Sequence, residues 1–254
     1  MPRIESFRPR SPTTQRSRWR PLRALFAWTL TVAVVGGLAW AGWSKLLDPT
    51  FLPIQVVGIE GELRHLRPDD LRQQLSPLLQ TGLIGIDVHA VATAVESLPW
   101  VEQVTVRRMW PDKLELTIQE FTPLARWNEL DLVNAEGVAF TPSADQIPNG
   151  LPWLWGPEGS SQRVTARYLT MSGALEELGL ELRILRLNER RSWSFETADG
   201  MQVKIGQIEV EQRFQRLLVA YPQLRDRRSG EVLMMDFRYP NGVAVRWSSG
   251  SFRK

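Results

Sequence analysis

The chain has 254 residues, 43% hydrophobic and 23% charged, with a formal net charge of +3 and no cysteine. That absence excludes disulfides, thiol catalysis and thiolate metal sites, so any folded part relies on its apolar core. The positive balance is local: residues 1–23 carry seven arginines (Arg3, Arg8, Arg10, Arg16, Arg18, Arg20 and Arg23) against Glu5, while 46–254 hold 23 basic and 27 acidic residues, a net of −4. A basic tail sets membrane topology, whereas a uniformly basic chain would point to nucleic acid, which is not expected as a partner.

Ala24 to Ser44 is free of charge for 21 positions, bounded by Arg23 and Lys45. As a helix it reaches roughly 31 Å, the thickness of a bilayer core. Trp28 near one end and Trp40 and Trp43 near the other suit interfacial aromatic belts, and the arginines hold the N-terminus on the cytoplasmic side. The expected order is a disordered cytoplasmic tail at 1–23, a transmembrane helix at 24–44 and a proline-stiffened linker at 45–53. Ala39-Trp40-Ala41 also fits a signal-peptidase site, which leaves a cleaved export signal as the rival reading. In both cases the bulk is exported.

Residues 54–121 give the order strand, helix, helix, strand, strand. Ile54 to Val57 is apolar and ends at Gly58. Leu71, Leu75, Leu78 and Leu79 follow at helical spacing behind Asp69 and Asp70, with Pro77 ending the helix near Ser76. Asp87 is placed to cap a second helix whose Val88, Val91, Val95 and Leu98 share a stripe stopped by Pro99. Val104 and Val106, then Leu114, Leu116 and Ile118, alternate with polar residues around the turn Trp110-Pro111-Asp112, predicting a hairpin with one buried face. Two helices over a three-stranded sheet make a two-layer domain.

Residues 122–254 read as short strands interrupted twice by helices. Strands are predicted at Leu124 to Trp127, Asp131 to Asn134, Val138 to Phe140, Trp153 to Trp155, Leu182 to Leu187, Trp193 to Glu196, Gln202 to Ile205, Val232 to Phe237 and Val243 to Trp247. Val164, Tyr168, Met171, Leu175 and Leu178 mark one helix up to Gly179. Val210, Phe214, Leu217, Leu218 and Tyr221 mark another up to Pro222. Tyr239-Pro240-Asn241-Gly242 turns the chain into the last strand, and the weak strand formers after Trp247 leave that strand at a sheet edge.

The β-α-α-β-β order resembles a POTRA domain. Leu98-Pro99-Trp100-Val101, the run Val106-Arg107-Arg108-Met109-Trp110-Pro111-Asp112, and Pro123-Leu124-Ala125-Arg126-Trp127-Asn128 resemble the FtsQ/DivIB family of bacterial cell-division proteins. The likeness continues through Val133-Asn134-Ala135-Glu136-Gly137, Trp155-Gly156-Pro157-Glu158-Gly159, Arg190-Arg191-Ser192-Trp193 and Asp236-Phe237-Arg238-Tyr239 to Gly242-Val243-Ala244-Val245-Arg246-Trp247. It implies an α+β fold: one transmembrane helix, a POTRA-like domain, and a mainly antiparallel β domain with two helices. It also implies a single-pass inner-membrane protein with its bulk in the periplasm, concentrated at the division septum. By the same resemblance the last strand takes up FtsB, paired with FtsL, by strand addition, and other divisome partners include the septal peptidoglycan synthase complex. The matching positions are Arg190, Tyr239, Asn241, Gly242, Val243, Val245 and Trp247. Val106 and Arg108 are the implied recruitment surface. No cofactor is implied, and Pro240 removes one backbone donor where relatives often have a hydroxyl-bearing turn.

An enzyme is the alternative to this scaffold. The two histidines, His65 in a polar turn and His89 off the apolar stripe, read as solvated, and Thr81-Gly82-Leu83-Ile84-Gly85 lacks the Lys and Ser/Thr of a phosphate loop. A periplasmic cell-wall hydrolase needs two carboxylates facing a cleft, which 28 acids allow in principle. A POTRA-type secretion or assembly factor would need a barrel or further repeats. Mostly, the carboxylates fall at caps, turns and wet strand faces, and a non-enzymatic scaffold is the expected class.

Overall fold

The computed structural model describes residues 20–46, 53–227, 230–240 and 242–248. Helix α1 (Arg20–Leu46) runs for 27 residues. Its described side chains, at 26 and 28–44, are exposed throughout. Among the described residues no helix is long and apolar enough to cross a membrane. The expected tail lies outside the described residues up to 19, and the expected linker does so at 47–52.

The first domain comprises β1 (Val56–Glu60), α2 (Pro68–Leu75), α3 (Gly82–Gly85), α4 (Val88–Glu96), β2 (Val101–Met109) and β3 (Lys113–Glu120). The sheet order is β1-β3-β2. β1 is parallel to β3, with Val57 opposite Leu114, and β2 is antiparallel to it, with Val104 opposite Ile118. The parallel pair follows from the helices between, which carry the chain back to its starting end. Asp87 caps α4 as expected, accepting from the backbone N–H groups of His89 and Ala90. Leu71, Leu75, Val91 and Val95 pack on Leu114, Leu116 and Ile118.

Two expectations need correction here. β1 does not stop at Gly58, because its pairing with β3 carries it to Glu60. The breaking glycine is Gly61, whose φ is +131° and whose Cβ position is occupied by the carbonyl oxygen of Ile118. His65 is not a solvated turn residue, since its ring lies against Trp100.

The second domain comprises β4 (Ala125–Trp127), β5 (Asp131–Val133), β6 (Ala139–Phe140), β7 (Trp153–Trp155), α5 (Ser161–Glu176), β8 (Leu182–Leu187), β9 (Trp193–Thr197), β10 (Gln202–Gly206), α6 (Val210–Arg227), β11 (Val232–Asp236) and β12 (Ala244–Trp247). They form one nine-stranded sheet in the order β12-β11-β10-β9-β8-β7-β4-β5-β6. Most neighbours are antiparallel, but β4 with β7, β7 with β8 and β10 with β11 are parallel; α5 and α6 form the crossovers of the last two pairs. Val164, Met171 and Leu175 of α5 and Phe214 and Leu217 of α6 join Leu154, Leu185, Phe195, Val203 and Met235 in a single core. α6 does not end at Pro222 but continues through it. Proline removes one ladder bond, while Tyr221 before it and Leu224 after it pack on the core and carry the helix onward.

The two domains share a core. Leu132 and Phe140 of the second domain sit in the same buried cluster as Trp100, Leu116 and Ile118 of the first. Phe140 meets Trp100 edge-on at 5.3 Å and stacks on Phe121 at 4.4 Å. Trp100 Nε1 donates to Gln146 Oε1 at 2.9 Å, and Gln146 Nε2 donates to the His65 carbonyl at 3.2 Å. Glu120 closes the same corner. Its carboxylate accepts from the backbone N–H groups of Arg64, His65 and Leu66, and it contacts His65 Nδ1 at 3.1 Å. Burial pushes that carboxyl up, but the three N–H groups and the histidine ring outweigh it and hold it below the usual carboxylate range.

Candidate functional site

Each sheet ends in two edges, and the four differ. β6, at one end of the large sheet, is two residues long and its Phe140 is buried in the domain junction. β12, at the other end, has four residues and, among the described strands, pairs with β11. In the first domain β1 and β2 are both outermost. An outermost strand carries unpaired N–H and C=O groups along its free side and can accept a further strand.

β12 is held in register by Met234 opposite Arg246, Met235 opposite Val245 and Asp236 opposite Ala244. Val243 and Val245 are half-buried and pack against the core, whereas Ala244 and Arg246 point to the open face. Val243 itself precedes the strand, which begins at Ala244. Trp247, half-buried, faces Val232 at the far end, where the Ser248 N–H donates to the Glu231 carbonyl at 2.8 Å and closes the hairpin.

At the near end the turn is braced by charge. Arg238 binds Asp236 with two parallel bonds, Nε to Oδ1 at 2.9 Å and Nη2 to Oδ2 at 2.7 Å. These bonds hold the buried Asp236 carboxyl below its usual range, with burial opposing them. Arg216 of α6 donates to the Pro240 carbonyl at 3.0 Å. Tyr239 stands 56% exposed beside this brace. Gly242 is exposed, and among the described residues nothing beyond its chain neighbours lies within 4 Å of where a Cβ would be. Asn241 lies outside the described residues.

Arg190 is exposed in the β8–β9 turn. The Arg191 N–H donates to the Asn188 carbonyl at 2.8 Å, Asn188 Oδ1 accepts from the Ser192 N–H at 2.9 Å, and Arg191 takes a φ of 58°. The registers place this turn at the same end of the sheet as Tyr239 and Gly242, but three strands in from β12, roughly 14 Å across the ladder. The sheet thus brings Arg190, Tyr239 and Gly242 to one rim and sets Trp247 at the other.

Val106 and Arg108 lie on β2. Val106 is half-buried against the first core, and Arg108 is exposed with its guanidinium donating to the Ile86 carbonyl at 2.5 Å.

Two residues supporting the rim escaped the sequence reading. Arg213 is 7% exposed and donates to the Ile205 carbonyl at 2.9 Å, with Nε unpartnered among the described residues. Gly206, at φ +93°, leaves room for it, since a Cβ there would sit 2.7 Å from Arg213 Nη1 and 3.3 Å from Arg238 Cγ. The signal was present: Arg213 falls on the apolar stripe of Val210, Phe214 and Leu217, where a charge is out of place.

Comparison with known proteins bears on the whole assembly. Residues 52–121 match the POTRA domain of FtsQ type, and residues 125–238 match the family described as cell division protein FtsQ/DivIB, C-terminal. The second match stops short of Tyr239, so the turn and β12 lie beyond it. The cell division protein FtsQ of Allochromatium vinosum is 38% identical over 89% of this chain and 90% of its own length. That of Coxiella burnetii is 33% identical over 82% and 86%, and that of Escherichia coli 33% over 86% and 81%. The chain belongs to the FtsQ/DivIB family of cell division proteins.

Proposed function

We propose that this protein is a non-enzymatic scaffold of the divisome, anchored in the inner membrane by α1, which holds bitopic partners of the FtsB and FtsL type by strand addition at β12. Through them it controls the septal peptidoglycan synthase complex. The observation that carries this reading is the outermost place of β12 among the described strands, with exposed Tyr239 at one end and half-buried Trp247 at the other. A backbone bond nets about 0.5–1.5 kcal/mol against an association cost of about 4–15, so aromatic and charged anchors such as Tyr239, Trp247 and Arg190 must add to the ladder. Val243 and Val245 set the register with their half-buried side chains, and Asn241 and Gly242 shape the entry.

The anchor is supported by the sequence. The uncharged run continues to Ala24 at one end, and Phe26, Trp28, Leu38, Trp40 and Trp43 are all more than 60% exposed. An apolar helix exposed all round finds its burial in lipid. The basic tail then stays in the cytoplasm, and both domains lie in the periplasm, at the septum during division. β2, with Val106 and Arg108, is the second open edge and the recruitment surface of this reading.

A photocrosslinking residue at Val243, with a control at Thr117, tests the reading in dividing cells. It expects a small bitopic partner trapped at Val243 alone. Adducts at Thr117 with none at Val243 would move the working surface to the first domain.

A further inference from the structure

The β2–β3 hairpin ends in an exposed tip. Met109 pairs with Lys113 as the last rung, and the three residues between them are the turn. Trp110 is 67% exposed and Met109 44%, in a domain whose other tryptophan, Trp100, is fully buried. Arg107 is exposed shortly before them, while Arg108 is taken up by the Ile86 carbonyl and Lys113 by Glu115 at 2.8 Å. A large apolar ring at a turn, near an exposed arginine, is left mostly uncovered by the described residues.

Its position is set by the chain's entry. The Gln55 N–H donates to the Asp112 carbonyl at 3.0 Å, and β1 begins alongside Lys113, with half-exposed Val56 opposite it. The chain leaving α1 therefore joins the first domain at the hairpin tip and not at its far end. Only the nine residues 47–55 separate Leu46 from that bond, a reach of at most about 30 Å. A tether of that length keeps the tip at an effective concentration of roughly millimolar beside the bilayer surface, so weak interfacial affinity suffices.

We infer that the Met109–Trp110 tip docks into the headgroup layer of an anionic membrane, with Trp110 at the interface and Arg107 facing lipid phosphates. This rests on the reading of α1 as the membrane anchor. Tryptophan favours this layer because its ring is apolar with one polar edge, and an arginine near it gains from the negative surface potential. β3 leads directly from the tip to Glu120 at the domain junction, roughly 25 Å away along the strand. A docked tip therefore holds the second domain, and with it β12, at a fixed height above the lipid.

The test uses the full chain in vesicles of phosphatidylethanolamine and phosphatidylglycerol that contain a spin-labelled lipid quencher. Because the chain has no cysteine, single substitutions Leu38→Cys, Met109→Cys and Gln119→Cys each carry one polarity-sensitive fluorophore. The inference expects the labels at 38 and 109 to be quenched several-fold more than that at 119, and quenching at 109 to fall to the level of 119 when Trp110→Ser is added. Quenching at 38 without quenching at 109 overturns the docked tip, leaves the anchor standing and makes the tip a surface for a protein contact. Unchanged quenching at 109 after Trp110→Ser overturns the role of the indole. Absence of quenching at 38 overturns the anchor and this inference with it.

Discussion

The indole of Trp100 lies flat against the imidazole of His65, with ring centroids 3.8 Å apart and planes 7° from parallel. Phe140 meets the same indole edge-on and stacks in turn on Phe121, so residues from both domains close over one fully buried ring. Trp100→Ala empties this corner and is expected to cost about 3–5 kcal/mol, as large aromatic truncations in cores do. Gln146→Ala leaves Trp100 Nε1 without its acceptor and is expected to cost about 1–3 kcal/mol. Urea unfolding of the intact chain in detergent reads both, and a Trp100→Ala cost near zero would show that the domains are held elsewhere.

Glu120 makes this junction sensitive to acid. Its folded pKa lies below the unfolded one, so the stabilisation is complete above about pH 4.3 and is lost as pH falls through the lowered folded value. Glu120→Gln is expected to lower the melting temperature at pH 7, through about 2 kcal/mol of lost charge-assisted hydrogen bonding. The gap between variant and parent should narrow steadily as pH falls below about 4.3. A gap that stays constant would mean that shape, not charge, holds the corner.

Local signals reached the elements but not the junction. The stripe of Val91 and Val95, the Asp87 cap, the alternation of Leu114, Leu116 and Ile118 and the terminal hairpin were all legible, because each is a repeat within a few residues. His65, Trp100, Phe121, Phe140 and Gln146 meet across as many as 81 positions, and no periodicity pairs residues so far apart. For the same reason Arg190 could be marked as a turn residue, while its place three strands inside β12 needed the ladder registers. Gly58 and Pro222 read as stops because each breaks an isolated element, and pairing with β3 and packing on the core overrode them.

Gly206 ties the rim to α6. At φ +93° with the Arg213 guanidinium 2.7 Å from a Cβ position, it meets two objections to a side chain at once. Gly206→Ala is expected to destabilise by more than about 1 kcal/mol, since the backbone is strained for alanine and the buried guanidinium must shift from the Ile205 carbonyl. Gly200→Ala, also at positive φ but with nothing within 4 Å, isolates the strain alone and should cost less. Equal costs in thermal melts would show that Arg213 yields freely.

Gly242 separates folding from docking. The described residues leave its Cβ position empty to 4 Å, so Gly242→Leu starts its side chain in open space, and its effect on stability is expected within about 0.5 kcal/mol. The same side chain stands where a strand added to β12 would enter beside Tyr239. Capture of a bitopic partner at Val243 should then drop sharply while the melting temperature holds. Loss of both together would make the turn a structural element, and retention of both would place the incoming segment at Trp247 or off β12 altogether.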